Sequence, residues 1–274
     1  MVRHDKNSDD GIFLYDSQTH AFMPITHTGT ADYNNFSITG DGERIVFASR
    51  LDPYGSLASM PTEYFYSTRT LIKYTRIIGA RPDPNGVYSF AQFNSASTST
   101  NGRRIAFLSI ADLVGNSNDG NFEIFLLDLR DKACTQITDT TDKSYFGSHS
   151  RAFLNADGTH VAFRSEAKLT GNNADGNWEI IVLDVITNTL TQIADTIGSD
   201  NSGPSITADG ARIAFVSTAD QTGSNLYHQM AFFLADCPPA STPTPAVGPN
   251  TEALKPLKVK SGSRLATAGT GLIT

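Results

Sequence analysis

The sequence predicts an all-β fold: a β-propeller of four-stranded antiparallel blades, about four to five of them, in a ring that is either closed or incomplete. Three observations carry the prediction. A short motif recurs four times at nearly constant spacing. An Asp-Gly or Asn-Gly pair heads each copy. The strands that follow are apolar on both faces.

The pairs are Asp41-Gly42, Asn101-Gly102, Asp157-Gly158 and Asp209-Gly210, and each opens a short strand: ERIVFAS, RRIAFLS, THVAFRS and ARIAFVS. The phenylalanines of these strands, Phe47, Phe107, Phe163 and Phe215, recur at intervals of 60, 56 and 52 residues. Asp-Gly and Asn-Gly are strong signals of a two-residue hairpin, whose type I′ turn needs positive φ at both central positions. Each copy is therefore expected to begin with a hairpin.

A second conserved spacing supplies the next strand. EIFLLD ends at Asp128, EIIVLD at Asp184 and AFFLAD at Asp236, with EYFYST at the same place in the first copy. LIKYTRI, ACTQIT and LTQIA follow as fourth strands. The stretch GIFLYDSQTHAFMPIT repeats only the second half of the pattern, since Asp16 precedes Thr26 by the ten residues that separate Asp128 from Thr138. The organisation expected is a half unit at 1–35, units at 36–83, 93–140, 147–196 and 201–237, and a Pro-rich linker with a disordered tail at 238–274. A lone four-stranded sheet cannot cover both of its apolar faces. Radial stacking lets each blade cover its neighbour, whereas a many-stranded sandwich offers no reason for so regular a period.

The pattern [D/N]-G-x-x-[IV]-[AV]-F-x-S, then G-N-x-x-D-G-N-x-E-I-[FI]-[LV]-L-D, then T-Q-I, resembles the WD40-like (PD40-type) propeller repeat of TolB and related proteins. It is clearest at 101–138 and 157–194 and extends over residues 1–237. The resemblance implies a platform for protein or ligand binding, or an accessory domain of a hydrolase, and points weakly to a periplasmic or extracellular setting. The MVRHDKNSDDG start does not read as a signal peptide. Two departures stand out. The half unit lacks its first hairpin, and Cys237-Pro238-Pro239 falls where the last unit needs a fourth strand that proline cannot pair. The reading is an incomplete propeller, with a five-bladed ring closed by its two ends as the alternative. An incomplete ring leaves bare apolar edges through which copies of the chain would associate.

Composition narrows the partners. The net charge is −7, and residues 1–237 alone carry 17 basic and 27 acidic side chains, which works against nucleic acid. No run of apolar residues is long enough to span a membrane as a helix. Cys134 and Cys237 match no zinc spacing, and no H-E-x-x-H, G-x-S-x-G or phosphate-loop motif occurs. Ser148-His149-Ser150 reads as a polar turn, and Trp178 as core packing. A protein partner, no enzymatic activity and no obligatory cofactor are the expectations.

One feature has the chemistry of a ligand site. The loop before the third strand reads GNSNDGNFE at 115–123 and GNNADGNWE at 171–179. Asn116, Asp119 and Asn121, matched by Asn172, Asp175 and Asn177, offer the clustered oxygens that Ca²⁺ prefers. The same residues also suit a polar turn whose side chains cap local amides, and EF-hand spacing is not met. Glu63, Glu123 and Glu179 share one position at the start of the third strand. They are expected to bond a neighbouring loop rather than to act in acid–base chemistry. The last unit has Ala231 there, with Tyr227-His228 in place of Asp-Gly.

Overall fold

The computed structural model describes residues 12–26, 33–51, 59–68, 75–78, 96–110, 112–115, 121–141, 149–221, 225 and 227–237. Among these residues there are strands and turns and no α-helix, arranged as five separate antiparallel sheets. The expected tail at 238–274 lies outside them, as does most of the segment between the first two blades.

The first sheet is a two-stranded ribbon, β1 (Phe13–Asp16) with β2 (Ala21–Pro24). The first blade has β3 (Tyr33–Ile38), β4 (Arg44–Leu51), β5 (Ser59–Thr68) and β6 (Thr75–Ile78). The second has β7 (Ala96–Thr98), β8 (Arg104–Ser109), β9 (Glu123–Asp128) and β10 (Ala133–Gln136). The third has β11 (His149–Leu154), β12 (His160–Ser165), β13 (Glu179–Asp184) and β14 (Thr189–Gln192). The described residues of the fourth form β15 (Asn201–Ile206), β16 (Arg212–Ser217) and β17 (Ala231–Asp236). Within every sheet the strands neighbour one another in chain order. The first blade starts at Tyr33, earlier than the boundary expected at 36, because Tyr33 still pairs with Ser49 across β4.

The ribbon is built as the third and fourth strands of a blade. Ile12 N–H donates to Thr26 Oγ1 at 2.9 Å, and Ile124 N–H donates to Thr138 Oγ1 at the same distance in the second blade.

The recurring phenylalanines set the core. Phe47, Phe107, Phe163 and Phe215 are all fully buried, and their cross-strand partners on the third strand are Phe65, Phe125, Ile181 and Phe233. Phe107 stacks on Phe125, and Phe215 on Phe233, with ring centroids 5.7 Å apart in both pairs. One face of each blade looks back to its predecessor and the other looks forward. Ala106, Leu108, Ile124 and Leu126 of the second blade meet Val161, Phe163, Ile181 and Leu183 of the third. Ala162, Ile180 and Val182 of the third meet Ile213, Phe215, Phe233 and Ala235 of the fourth. Ile12 and Ile25 of the ribbon meet Ile45 and Phe47 of the first. Strands sandwiched in this way are buried on both faces, which is why their sequences do not alternate.

The hairpins form where expected, with a different turn. Gly42 N–H donates to Thr39 O at 2.9 Å, and Gly102, Gly158 and Gly210 repeat the bond to Ser99, Asn155 and Thr207. Only the glycine of each pair has positive φ, +71°, +64°, +74° and +75° in order. The type I′ turn is therefore replaced by a four-residue turn closed by a left-handed glycine, the geometry of a bulged hairpin. The preceding Asx stays right-handed because its side chain caps the turn, Asp41 Oδ1 accepting from Glu43 N–H at 3.0 Å and Asp209 Oδ1 from Ala211 N–H at 3.0 Å.

These turns also join the blades. Gly40 N–H donates to Thr100 O, Thr100 N–H to Ala156 O, and Ala156 N–H to Ala208 O, at 3.1, 2.7 and 3.1 Å. Each turn thus passes one hydrogen bond to the equivalent residue of the next blade. A Cβ on Gly210 would lie 2.7 Å from His160 Nδ1 of the third blade, while one on Gly42 would meet nothing within 4 Å. Gly42→Ala should cost about 1 kcal/mol, from left-handed strain alone. Gly210→Ala should cost about 3 kcal/mol, from the same strain plus overpacking. Urea midpoints at constant m-value measure both.

Candidate functional site

In the second and third blades, the described residues before the third strand and after the fourth lie at the end of the sheet opposite the Asx-Gly turns. At this end the repeated glutamate enters the space between two blades. Glu123 is only 1% exposed. Its carboxylate accepts from Thr140 N–H and Thr140 Oγ1, both at 2.7 Å, and from the Thr138 hydroxyl, all from the chain after β10. His149, the first residue of β11, brings Nε2 to 3.4 Å from Glu123 Oε2. Asn121 ties the same loop down, its amide donating to Thr140 O at 2.7 Å.

The next junction repeats this frame with one chemical change. Glu179 accepts from Thr196 N–H at 2.7 Å and Thr196 Oγ1 at 2.9 Å. Asn177 donates to Thr196 O at 2.8 Å and to Ser199 O at 2.7 Å. The position of His149 is taken by Asn201, the first residue of β15, whose amide donates to Glu179 Oε2 at 2.8 Å. One carboxylate therefore faces an imidazole and the other a neutral amide.

The ionisation of the two carboxyls differs accordingly. Burial pushes Glu123 up, but the hydrogen bond and charge of His149, with the Thr138 hydroxyl and Thr140 N–H, outweigh it and hold the carboxyl below the usual carboxylate range. Burial pushes Glu179 up to about 7, against the pull of Thr196 and Asn177, and nearby Asp195 adds to the rise. The arrangement fastens one blade to the next; it leaves neither carboxyl open to solvent.

The structure describes four of the six sequence-predicted calcium candidates. Asn116 and Asp119 lie outside the described residues. Asn121 and Asn177 use their amide nitrogens on loop carbonyls, as above. Asp175 Oδ2 accepts from Gly198 N–H at 2.7 Å, and Asn172 faces solvent. Among the described residues no three His, Cys, Asp or Glu side chains gather into a metal-binding group. The side chain of Glu63 is likewise outside the description, and the fourth blade has Ala231 at this position.

Two readings change. His149 is not a turn residue; it opens β11 opposite Ser165 and is buried. Its alignment with Asn201, fourteen residues before the repeated phenylalanine, was the available signal. Trp178 is half-buried at the rim rather than in the core, with Arg164 Cζ 4.1 Å above its ring, a cation–π pair.

Solved structures share this arrangement of sheets. TolB from Acinetobacter baumannii superposes with a TM-score of 0.52 at 16% identity, over 86% of this chain and 48% of that one. The fold is that of a TolB-like β-propeller. A prolyl endopeptidase matches this propeller with a TM-score of 0.54 at 10% identity, over 83% of this chain and 31% of that one. An oligogalacturonate lyase from Vibrio parahaemolyticus matches it at 0.54 and 10%, over 86% and 61%. The propeller chain thus spans about half the length of the TolB chain and a third of the endopeptidase. No family model matches the chain, and no curated protein matches it in sequence.

The two blade junctions should respond to pH with opposite sign. Glu179 holds its proton more tightly folded than unfolded, so the stability it contributes is full below the unfolded carboxylate pKa and is lost as pH rises through about 7. Glu179→Gln should therefore stabilise the propeller by on the order of 1–2 kcal/mol near pH 8.5 and little near pH 5. Glu123 releases its proton more readily folded, so its contribution is present above the unfolded pKa and fades as pH falls. Glu123→Gln should cost about 3 kcal/mol near pH 7, because His149 loses its buried partner. Denaturant titrations of both variants at these three pH values test this.

Proposed function

We propose that this propeller is a non-catalytic scaffold that docks a protein partner on an exposed blade face. The observation that carries the reading is the contrast between its polar and apolar side chains. The repeated polar residues of the loop end turn inward and bond the neighbouring blade. Large apolar residues reach solvent on the outward faces of the terminal sheets: Phe232 is 87% and Leu234 52% exposed on the fourth blade, and Phe22 is 55% exposed on the ribbon. Apolar surface concentrated in this way marks a docking site. The net charge of −7 disfavours nucleic acid as the partner, and among the described residues no helix is long and apolar enough to cross a membrane. A second reading is an accessory propeller of a peptidase or carbohydrate-processing enzyme. It is favoured by the likeness to a prolyl endopeptidase and an oligogalacturonate lyase, each longer than this chain.

Site-specific photocrosslinking in the native host separates a docking face from ordinary surface. A Phe232→benzoyl-phenylalanine chain should give a protein adduct that the same probe at Thr187, in the exposed third-to-fourth-strand turn, does not give. Absence of any adduct at 232, with another copy or with any other polypeptide, would refute the scaffold reading.

A further inference from the structure

The fourth blade carries on its forward face, position for position, what the second blade uses to receive the third. The apolar pad is the first part. Ala106, Leu108, Ile124 and Leu126 of the second blade correspond in the repeat to Ala214, Val216, Phe232 and Leu234 of the fourth. In the second blade this pad is buried against the third; in the fourth, Ala214, Phe232 and Leu234 are exposed.

The turn hydrogen bond is the second part. The series from Gly40 through Thr100 and Ala156 ends on Ala208, whose own N–H meets no acceptor among the described residues. The third part is a cation that caps the next turn. Arg44 Nη1 donates to Asn101 O at 3.3 Å and Arg104 Nη1 to Gly158 O at 2.8 Å. Arg212 stands at the same position with its side chain 59% exposed, and its described charge partners, Asp236 at 3.2 Å and Asp209, lie on its own blade. Three independent features therefore point the same way: this face is built to take a blade.

The matching surface lies at the other end of the chain. Phe13 and Tyr15 of the ribbon occupy the positions of Phe125 and Leu127, and of Ile181 and Leu183, with which the second and third blades face their predecessors. On the ribbon these positions are exposed, and Phe22 extends them, its ring 4.9 Å from that of Tyr15. We propose that the occupant of the Phe232/Leu234 face is a second copy of this chain, seated through its Phe13/Tyr15/Phe22 face, so that copies associate head to tail. The proposal rests on the scaffold reading above and names its partner. The contact would be the next member of a series of blade–blade interfaces already present in the molecule, in the same register. A contact between two different faces is heterologous, so it propagates unless its rotation closes a ring.

Sedimentation velocity on the purified full chain is the test. Wild type should gain mass with concentration. Phe232→Asp and Phe22→Asp should each abolish the gain, with circular dichroism and melting temperature showing that both fold; each residue is exposed, so neither substitution opens the core. The decisive arm mixes the two variants. One intact forward face and one intact ribbon face remain in the mixture, so it should form a 1:1 dimer and nothing larger. A wild-type chain that stays monomeric, or variants that still self-associate while their mixture forms no dimer, would overturn the proposal. A monomeric purified chain whose residue 232 crosslinks to a different polypeptide in the host would overturn the second copy as occupant and leave the scaffold reading standing.

Discussion

The contact between successive blades is the constraint on which the rest of this molecule depends. β8, β9, β12 and β13 are buried along almost their whole length, so the second and third blades have no solvent side to retreat to. Stability comes from stacking. A buried phenylalanine such as Phe163 is worth about 3–5 kcal/mol against alanine, and it reaches that value only because the second blade covers it. Stability of such an array is close to a sum of unit and nearest-neighbour terms, and a weak junction is felt locally.

The junctions differ in their polar chemistry although they share a frame. Both bury a glutamate against a threonine N–H and hydroxyl from the loop after the fourth strand. Between the second and third blades the glutamate meets His149, which can carry a compensating charge; between the third and fourth it meets Asn201, which cannot. A buried carboxyl with neutral donors alone ionises late, so the cohesion of the junction between the third and fourth blades responds to pH near neutrality. That junction also supports the blade with the bare forward face.

A propeller hosts unrelated functions, and the fold does not choose among them. What favours a scaffold is the direction in which side chains point: repeated polar groups towards the next blade, apolar groups of the ribbon and the fourth blade towards solvent. The half-buried Cys134 and the buried Cys237 fit the same picture, their thiols pushed up to about 12 and about 11 chiefly by burial, far from the range of a reactive thiolate.

Much was legible before any coordinates. Fixed offsets between Asx-Gly, Phe-x-Ser and the closing aspartate determined the strands, their antiparallel order and the likeness of the N-terminal ribbon to the second half of a blade, because each offset reports one hairpin of constant length. The recurring glutamates also announced a structural role. The sequence did not reveal the turn type, since side-chain capping by the Asx residue, and not the dipeptide alone, selects it. Nor did it disclose His149 as the partner of Glu123, because the two residues come from different blades and nothing local marks the pairing. An incomplete ring implied bare edges, but the repeat does not say which residues form them: Phe232 and Ile124 are equivalent in it, and what is stacked against each distinguishes them. The repeat itself follows from local spacing; the fate of each face follows from what is stacked against it.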